Sequence, residues 1–128
     1  MDKATLVKDD ISDGKKLIQH LDNTEFKVNS ALWFYATDLN EWKLVLASEY
    51  LKAHGLKEAY SFVQNELEKL YLTNISLNNI AITGANDQLI ELLKRGIVTG
   101  SKDISDIRFT RNVINGVMIE DALIYRLT

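Results

Sequence analysis

The residues best suited to chemistry in this chain are four arginines, Arg95, Arg108, Arg111 and Arg126, all of which fall after residue 94. A guanidinium offers a planar fork of donors that matches carboxylate or phosphate two bonds at a time. Residues 94–128 hold six Lys or Arg against four acids, net +2, whereas residues 1–93 hold nine Lys against fourteen acids, net −5. An anion is therefore expected to bind in the C-terminal stretch. The strongest local signal there is Asn115-Gly116, set between Val113-Ile114 and Val117-Met118. Both central residues of a type I′ hairpin turn need φ > 0, which Asn and Gly accept most readily. A two-residue turn pins the register, so facing residues have numbers summing to 231. Arg111 then faces Glu120, Thr110 faces Asp121 and Arg108 faces Leu123. Alternation puts Arg108, Thr110, Asn112, Asp121 and Tyr125 on one strand face, next to Arg126. Such a polar set suits a small anion or a nucleotide. The same face carries Ile114, Val117, Ile119 and Leu123, which points to partial burial against a partner.

A second constellation is Glu41-Trp42-Lys43 following Asp38. At Glu41 and Lys43 the chain resembles the metal-dependent nucleases of the PD-(D/E)xK type. That resemblance implies Mg²⁺ held between two carboxylates, Asp38 and Glu41, with Lys43 orienting the attacking water. The chain departs from the pattern in two ways. Asp38 lies in the same loop as Glu41 rather than on a neighbouring strand, and the third strand expected before the following helix is missing. Residues 96–102 contain two glycines and a lysine but lack the spacing of a phosphate loop. The two histidines, His20 and His54, have no acid or nucleophile nearby in sequence in a recognisable arrangement, and there is no cysteine. Thiolate metal sites, thiol nucleophiles and disulfides are thereby excluded. No metal or cofactor is expected.

The elements that must position these residues read as follows. Residues 13–22 form a helix with Ser12 as N-cap and Leu17, Ile18 and Leu21 on one stripe, which Val7 and Ile11 could extend backward. Residues 28–48 form a hairpin, with aromatic and β-branched runs either side of a polar loop at 38–41. With that loop, Thr37 faces Trp42, and Trp33, Tyr35, Trp42, Leu44 and Leu46 share one face. Leu32, Phe34, Ala36, Val45 and Ala47 share the other. Both faces are apolar, so both need covering, by helices on one side and by something else, such as another subunit, on the other. Helical spacing of Leu56, Ala59, Tyr60, Val63, Leu67 and Leu70 marks a helix over 56–71. A short strand at 79–83 and a helix at 87–95, capped by Asn86 and closed by Gly96, precede the second hairpin.

The order is α-β-β-α-β-α-β-β. It predicts one α+β domain over 1–128, with an antiparallel or mixed sheet of about five strands built from two β-hairpins plus one short strand, and three helices mainly on one face. Hydrophobic residues make up 46% and charged residues 26%, the balance of an ordinary globular chain. The longest apolar run, 31–36, is far short of the roughly 20 residues a membrane helix needs, and no membrane association is expected. The first ten residues carry Asp2, Lys3, Lys8, Asp9 and Asp10, unlike a signal peptide, which predicts a cytoplasmic protein. A net charge of −3 argues against nucleic acid, whose affinity comes from cations neutralising phosphates.

Weighed together, these features predict a small non-enzymatic protein-interaction or self-associating domain, as a homodimer or bound to another protein. Its interface would use Trp33, Tyr35, Trp42, Leu44, Ile119 and Leu123. The alternative is a module binding a nucleotide or other small anion through Arg108 and Arg126, and the third reading is the Mg²⁺-dependent nuclease.

Overall fold

The computed structural model describes residues 5–128. Strands β1 (Ser30–Ala36) and β2 (Glu41–Ala47) form the first hairpin, and β4 (Ile107–Ile114) and β5 (Val117–Arg126) form the second. Between them lies β3 (Ile80–Thr83). The helices are α1 (Lys8–Asp22), α2 (Tyr50–His54), α3 (Leu56–Leu70) and α4 (Gln88–Lys94), with a 3₁₀ turn at Leu77–Asn79. The five strands make one sheet in the order β3-β2-β1-β5-β4. It is mixed, because β3 runs parallel to β2 while every other neighbouring pair is antiparallel. A parallel pair needs a long crossover, and α2 and α3 supply it. The α+β class and the five-stranded sheet expected from the sequence are thus observed.

Helices α1, α2 and α3 cover one face of the sheet. There Leu17, Ile18 and Leu21 of α1 and Ala59, Val63 and Leu67 of α3 close over Trp33, Tyr35, Trp42, Leu44 and Leu46. On the opposite face Ile90 and Leu93 of α4 pack onto Leu32, Val45, Ala47, Ile119, Ala122 and Ile124. The second cover that a two-sided apolar hairpin demands is therefore α4, a part of the same chain. Aromatic side chains bury roughly 150–250 Å² each, so Trp33, Tyr35 and Trp42 anchor this core.

The second hairpin has the register its turn dictates. Ile114 faces Val117, Thr110 faces Asp121 and Arg108 faces Leu123, and Asn115 and Gly116 have φ of 50° and 80°. The first hairpin differs from expectation. Its four-residue loop is 37–40, not 38–41, so Tyr35 rather than Thr37 faces Trp42. Asn40 explains the difference: it adopts φ 51°, the left-handed conformation that closes such a loop, and its side chain accepts a hydrogen bond from the Tyr35 hydroxyl. The displacement amounts to two residues of pairing, which preserves the strand period, so each side chain keeps its expected face.

Three further boundaries differ. Helix α1 begins five residues early, and the Asp10 carboxylate, not Ser12, serves its first turn by accepting the Val7 N–H at 3.3 Å. Helix α4 is capped by Asp87, which accepts the Leu89 N–H at 3.0 Å, in place of Asn86. Helix α2 was not foreseen, so the three helices on one face are α1, α2 and α3, with α4 alone on the other. Among the described residues, no helix is long and apolar enough to cross a membrane.

Candidate functional site

Connectivity brings two turns together. Because β1 and β5 are antiparallel, with Phe34 opposite Ala122, the loop after β1 and the Asn115-Gly116 turn lie at the same end of the sheet. Most of the candidate residues named above sit near this end. The Arg108 guanidinium grips Asp121 in a bidentate pair, Nε to Oδ1 and Nη2 to Oδ2, both at 2.7 Å. Thr110 donates its hydroxyl to the same Oδ1 at 3.2 Å, and Arg108 lies 5.5 Å from the Trp42 ring centroid. Asp121 is fully buried, a position a carboxylate tolerates only when paired and hydrogen-bonded. The hydrogen bonds to Asp121 hold the guanidinium of Arg108 more firmly protonated than usual, against the opposing effect of burial.

The other members of the polar set lie apart from this cluster or face elsewhere. The Asn112 side chain donates to the Thr110 carbonyl at 3.4 Å. Tyr125 is internal: its hydroxyl accepts the Trp33 Nε1–H at 2.9 Å and donates to the Ile11 carbonyl at 2.6 Å. Burial raises its pKa well above the usual phenol value. Arg126 is 1% exposed and belongs to the far end of β5. It holds Asp22 through two bonds of 2.9 and 2.8 Å and donates to the carbonyls of Val28 and Asp103. Arg111 makes a loose 3.6 Å pair with Glu120, as the register requires, and the Arg95 guanidinium donates to the Asn115 side-chain oxygen.

The alternation expected along the second hairpin does not run through to its tip. Ile107 and Phe109 pack with the α4 cluster, and so do Ile114 and Ile119, although regular alternation would place the two sets on opposite faces. The change of phase falls between the pairs Thr110–Asp121 and Asn112–Ile119, where Arg111 adopts φ 48°. A non-glycine residue in the left-handed region within a strand is uncommon, and this one kinks the hairpin. The kink turns Ile114 and Ile119 onto the α4 face, while Arg108, Thr110, Asp121 and Leu123 stay on the face of α1 and α3.

Glu41 and Lys43 alternate with the buried Trp42 and so point toward the α4 side, away from Arg108. Lys43 donates to the Asn78 carbonyl at 2.7 Å and pairs with Glu41 at 3.3 Å. Asp38 remains in the loop, beside Thr37. Among the described residues, no three His, Asp or Glu gather as metal ligands. The residues expected at an interface, Trp33, Tyr35, Trp42, Leu44, Ile119 and Leu123, are all buried within the chain itself. Any partner would therefore have to meet other side chains.

Such side chains occur at the hairpin tip. Val113, Val117 and Met118 are 58%, 47% and 57% exposed, and Val113 and Met118 are direct cross-strand neighbours. Of these the sequence reading singles out only Val117, as a residue partly buried against a partner; Val113 and Met118 it treats as strand formers, because nothing local shows that the hairpin outruns the layers that cover it. A groove of about 660 Å³ lies elsewhere, along α3 beside Leu56, Tyr60, Gln64 and Leu77. Comparisons with protein-family models, with curated proteins and with solved structures find no match.

Proposed function

We propose that the protein is a small non-enzymatic protein-interaction domain whose contact surface is the outer half of the β4–β5 hairpin. The observation that carries this reading is the exposure of Val113, Val117 and Met118 on an element fixed by a type I′ turn. Val113 and Met118, direct cross-strand neighbours, form a contiguous apolar pair left in water by a rigid element, and such groups mark a contact surface more often than isolated side chains do. The half-exposed Arg108 on the same hairpin, held in place by the buried Asp121, would give such a surface a preorganised polar rim. The anion-binding alternative has less behind it, because Arg126 spends its donors on Asp22, Val28 and Asp103.

The test is a photo-crosslinking amino acid placed at Met118 and, separately, at the still more exposed Val98 in the distant loop. In living cells the first should yield a discrete protein adduct that weakens with Val113→Ser, and the second should yield none. No adduct at 118, or the same adducts from both positions, removes the reading. The proposal places the partner in the cytoplasm, which fractionation of the adduct checks.

A further inference from the structure

At the opposite end of the sheet from the Asn115-Gly116 turn, we infer a binding site for a small zwitterion of the α-amino acid class, in the crevice beyond the carboxyl ends of the parallel strands β2 and β3. Topology puts the crevice there. The chain leaves β2 into α2 and α3, which cover one face of the sheet, and leaves β3 into α4, which covers the other. Two neighbouring parallel strands whose connections depart to opposite faces leave a gap between their loops, and open α/β sheets bind ligands in such gaps. Here Ala47 pairs with Thr83, and the Ser48 N–H donates to the Thr83 carbonyl at 3.1 Å. Just beyond lies a crevice of about 240 Å³, lined by Ser48, Glu49 and Lys52 after β2 and by residues 84–87 after β3. Sites for drug-sized ligands run to roughly 300–1,000 Å³, so this one suits a metabolite of few atoms.

Both walls are fixed by bonds of their own. Ser48 is 1% exposed, donates its hydroxyl to the Lys27 carbonyl at 2.6 Å and accepts the Tyr50 N–H at 3.1 Å, while the Asn29 side-chain oxygen accepts the Glu49 N–H at 2.9 Å. Across the gap Asp87 accepts the Thr83 hydroxyl at 2.9 Å and the Leu89 N–H at 3.0 Å. Walls set in advance spare a ligand the cost of ordering them. Two lining groups have no such task. Among the described residues, the Glu49 carboxylate and the Lys52 ammonium have no hydrogen-bond or ion-pair partner and do not pair with each other, although they stand three residues apart at the start of α2. A carboxylate and an ammonium lining one small crevice complement a ligand that carries both charges close together, its amine on Glu49 and its carboxylate on Lys52.

The probes are the protein amino acids, titrated singly against the full chain and followed by heteronuclear NMR and calorimetry. The tightest is then compared with its decarboxylated amine and with its deaminated acid. At least one amino acid should shift the resonances of 48–52 and 84–87 and bind about tenfold tighter than either half-molecule, the loss expected when one hydrogen bond to a charged group is removed. Glu49→Gln should erase the advantage over the deaminated acid, and Lys52→Gln the advantage over the amine. Both side chains are exposed, so the melting curves should not change. No binding at millimolar concentration, half-molecules that bind as tightly as the amino acid, indifference to both substitutions, or shifts centred outside the two loops overturns the inference. The hairpin reading concerns the other end of the sheet and stands or falls separately, on the crosslink from position 118.

Discussion

Gly14 lies against the most crowded part of the core. A Cβ there would stand 2.5 Å from the Tyr125 hydroxyl oxygen and 3.1 Å from Trp33 Nε1. The hydroxyl cannot swing aside cheaply, since it is fixed by Trp33 and by the Ile11 carbonyl. Gly14→Ala gains about 1 kcal/mol of helix propensity. Against this stand overpacking of about 1–3 kcal/mol and two strained hydrogen bonds of about 1 kcal/mol each. The expected result is a loss of about 2 kcal/mol by urea denaturation, relieved in part by Tyr125→Phe; a more stable Gly14→Ala would contradict it. Arg126→Met strips Asp22, Val28 and Asp103 of their shared donor and should cost about 3 kcal/mol. A shift in urea midpoint too small to measure would show that the pair contributes nothing. Glu66 couples α1 to α3, bonded to Lys69 at 2.8 Å and to His20 at 2.9 Å. Those bonds, the one from Lys69 foremost, hold its carboxyl below the usual glutamate range. A depressed carboxyl stabilises the fold above the unfolded value, about 4.3, and that contribution is lost as pH falls through the folded one. The stability gap between wild type and Glu66→Gln should therefore be wide at pH 7 and close on acidification; a gap independent of pH would exclude this role. Apart from the Glu66–Lys69 pair within α3, these contacts join residues of different elements and so could not be read from the sequence alone.

Among the elements, those governed by local chemistry were legible and those governed by packing were not. The type I′ turn fixed every pair of the second hairpin, and the apolar stripe marked α3 to within a residue. Gly116, at φ 80°, is where that logic can be tested. Alanine in the left-handed region costs roughly 1–2 kcal/mol, so Gly116→Ala should lower stability by about that amount and speed amide exchange at Ile114 and Val117 while leaving β1 and β2 unchanged. Uniform acceleration across the sheet would mean that the hairpin tip is not an independent unit. The first hairpin's register is displaced because its loop closes on the left-handed Asn40, one residue before Glu41, the last loop residue expected from the sequence. Helix α2 has only five residues and no full apolar stripe, so periodicity could not reveal it. The kink at Arg111 has no local signature at all; only the packing of Ile114 and Ile119 against α4 discloses it. That kink divided a polar set that strict alternation had joined.

For the molecule as a whole, two-sided apolarity of the first hairpin was correctly legible, yet what covers the second side was not, because seven residues of α4 are a modest source of cover in a one-dimensional reading. With Trp33, Tyr35 and Trp42 enclosed by the chain's own helices, no second subunit is needed to shield the sheet, and Val113, Val117 and Met118 are among the large apolar side chains left exposed. Sedimentation equilibrium with tryptophan emission, followed over a hundredfold dilution, tests this directly. The expected result is the mass of one chain throughout, with unchanging blue-shifted emission from buried indoles. A dimer whose dissociation shifts that emission to the red would show the aromatic hairpin to be an interface after all and would contradict the account.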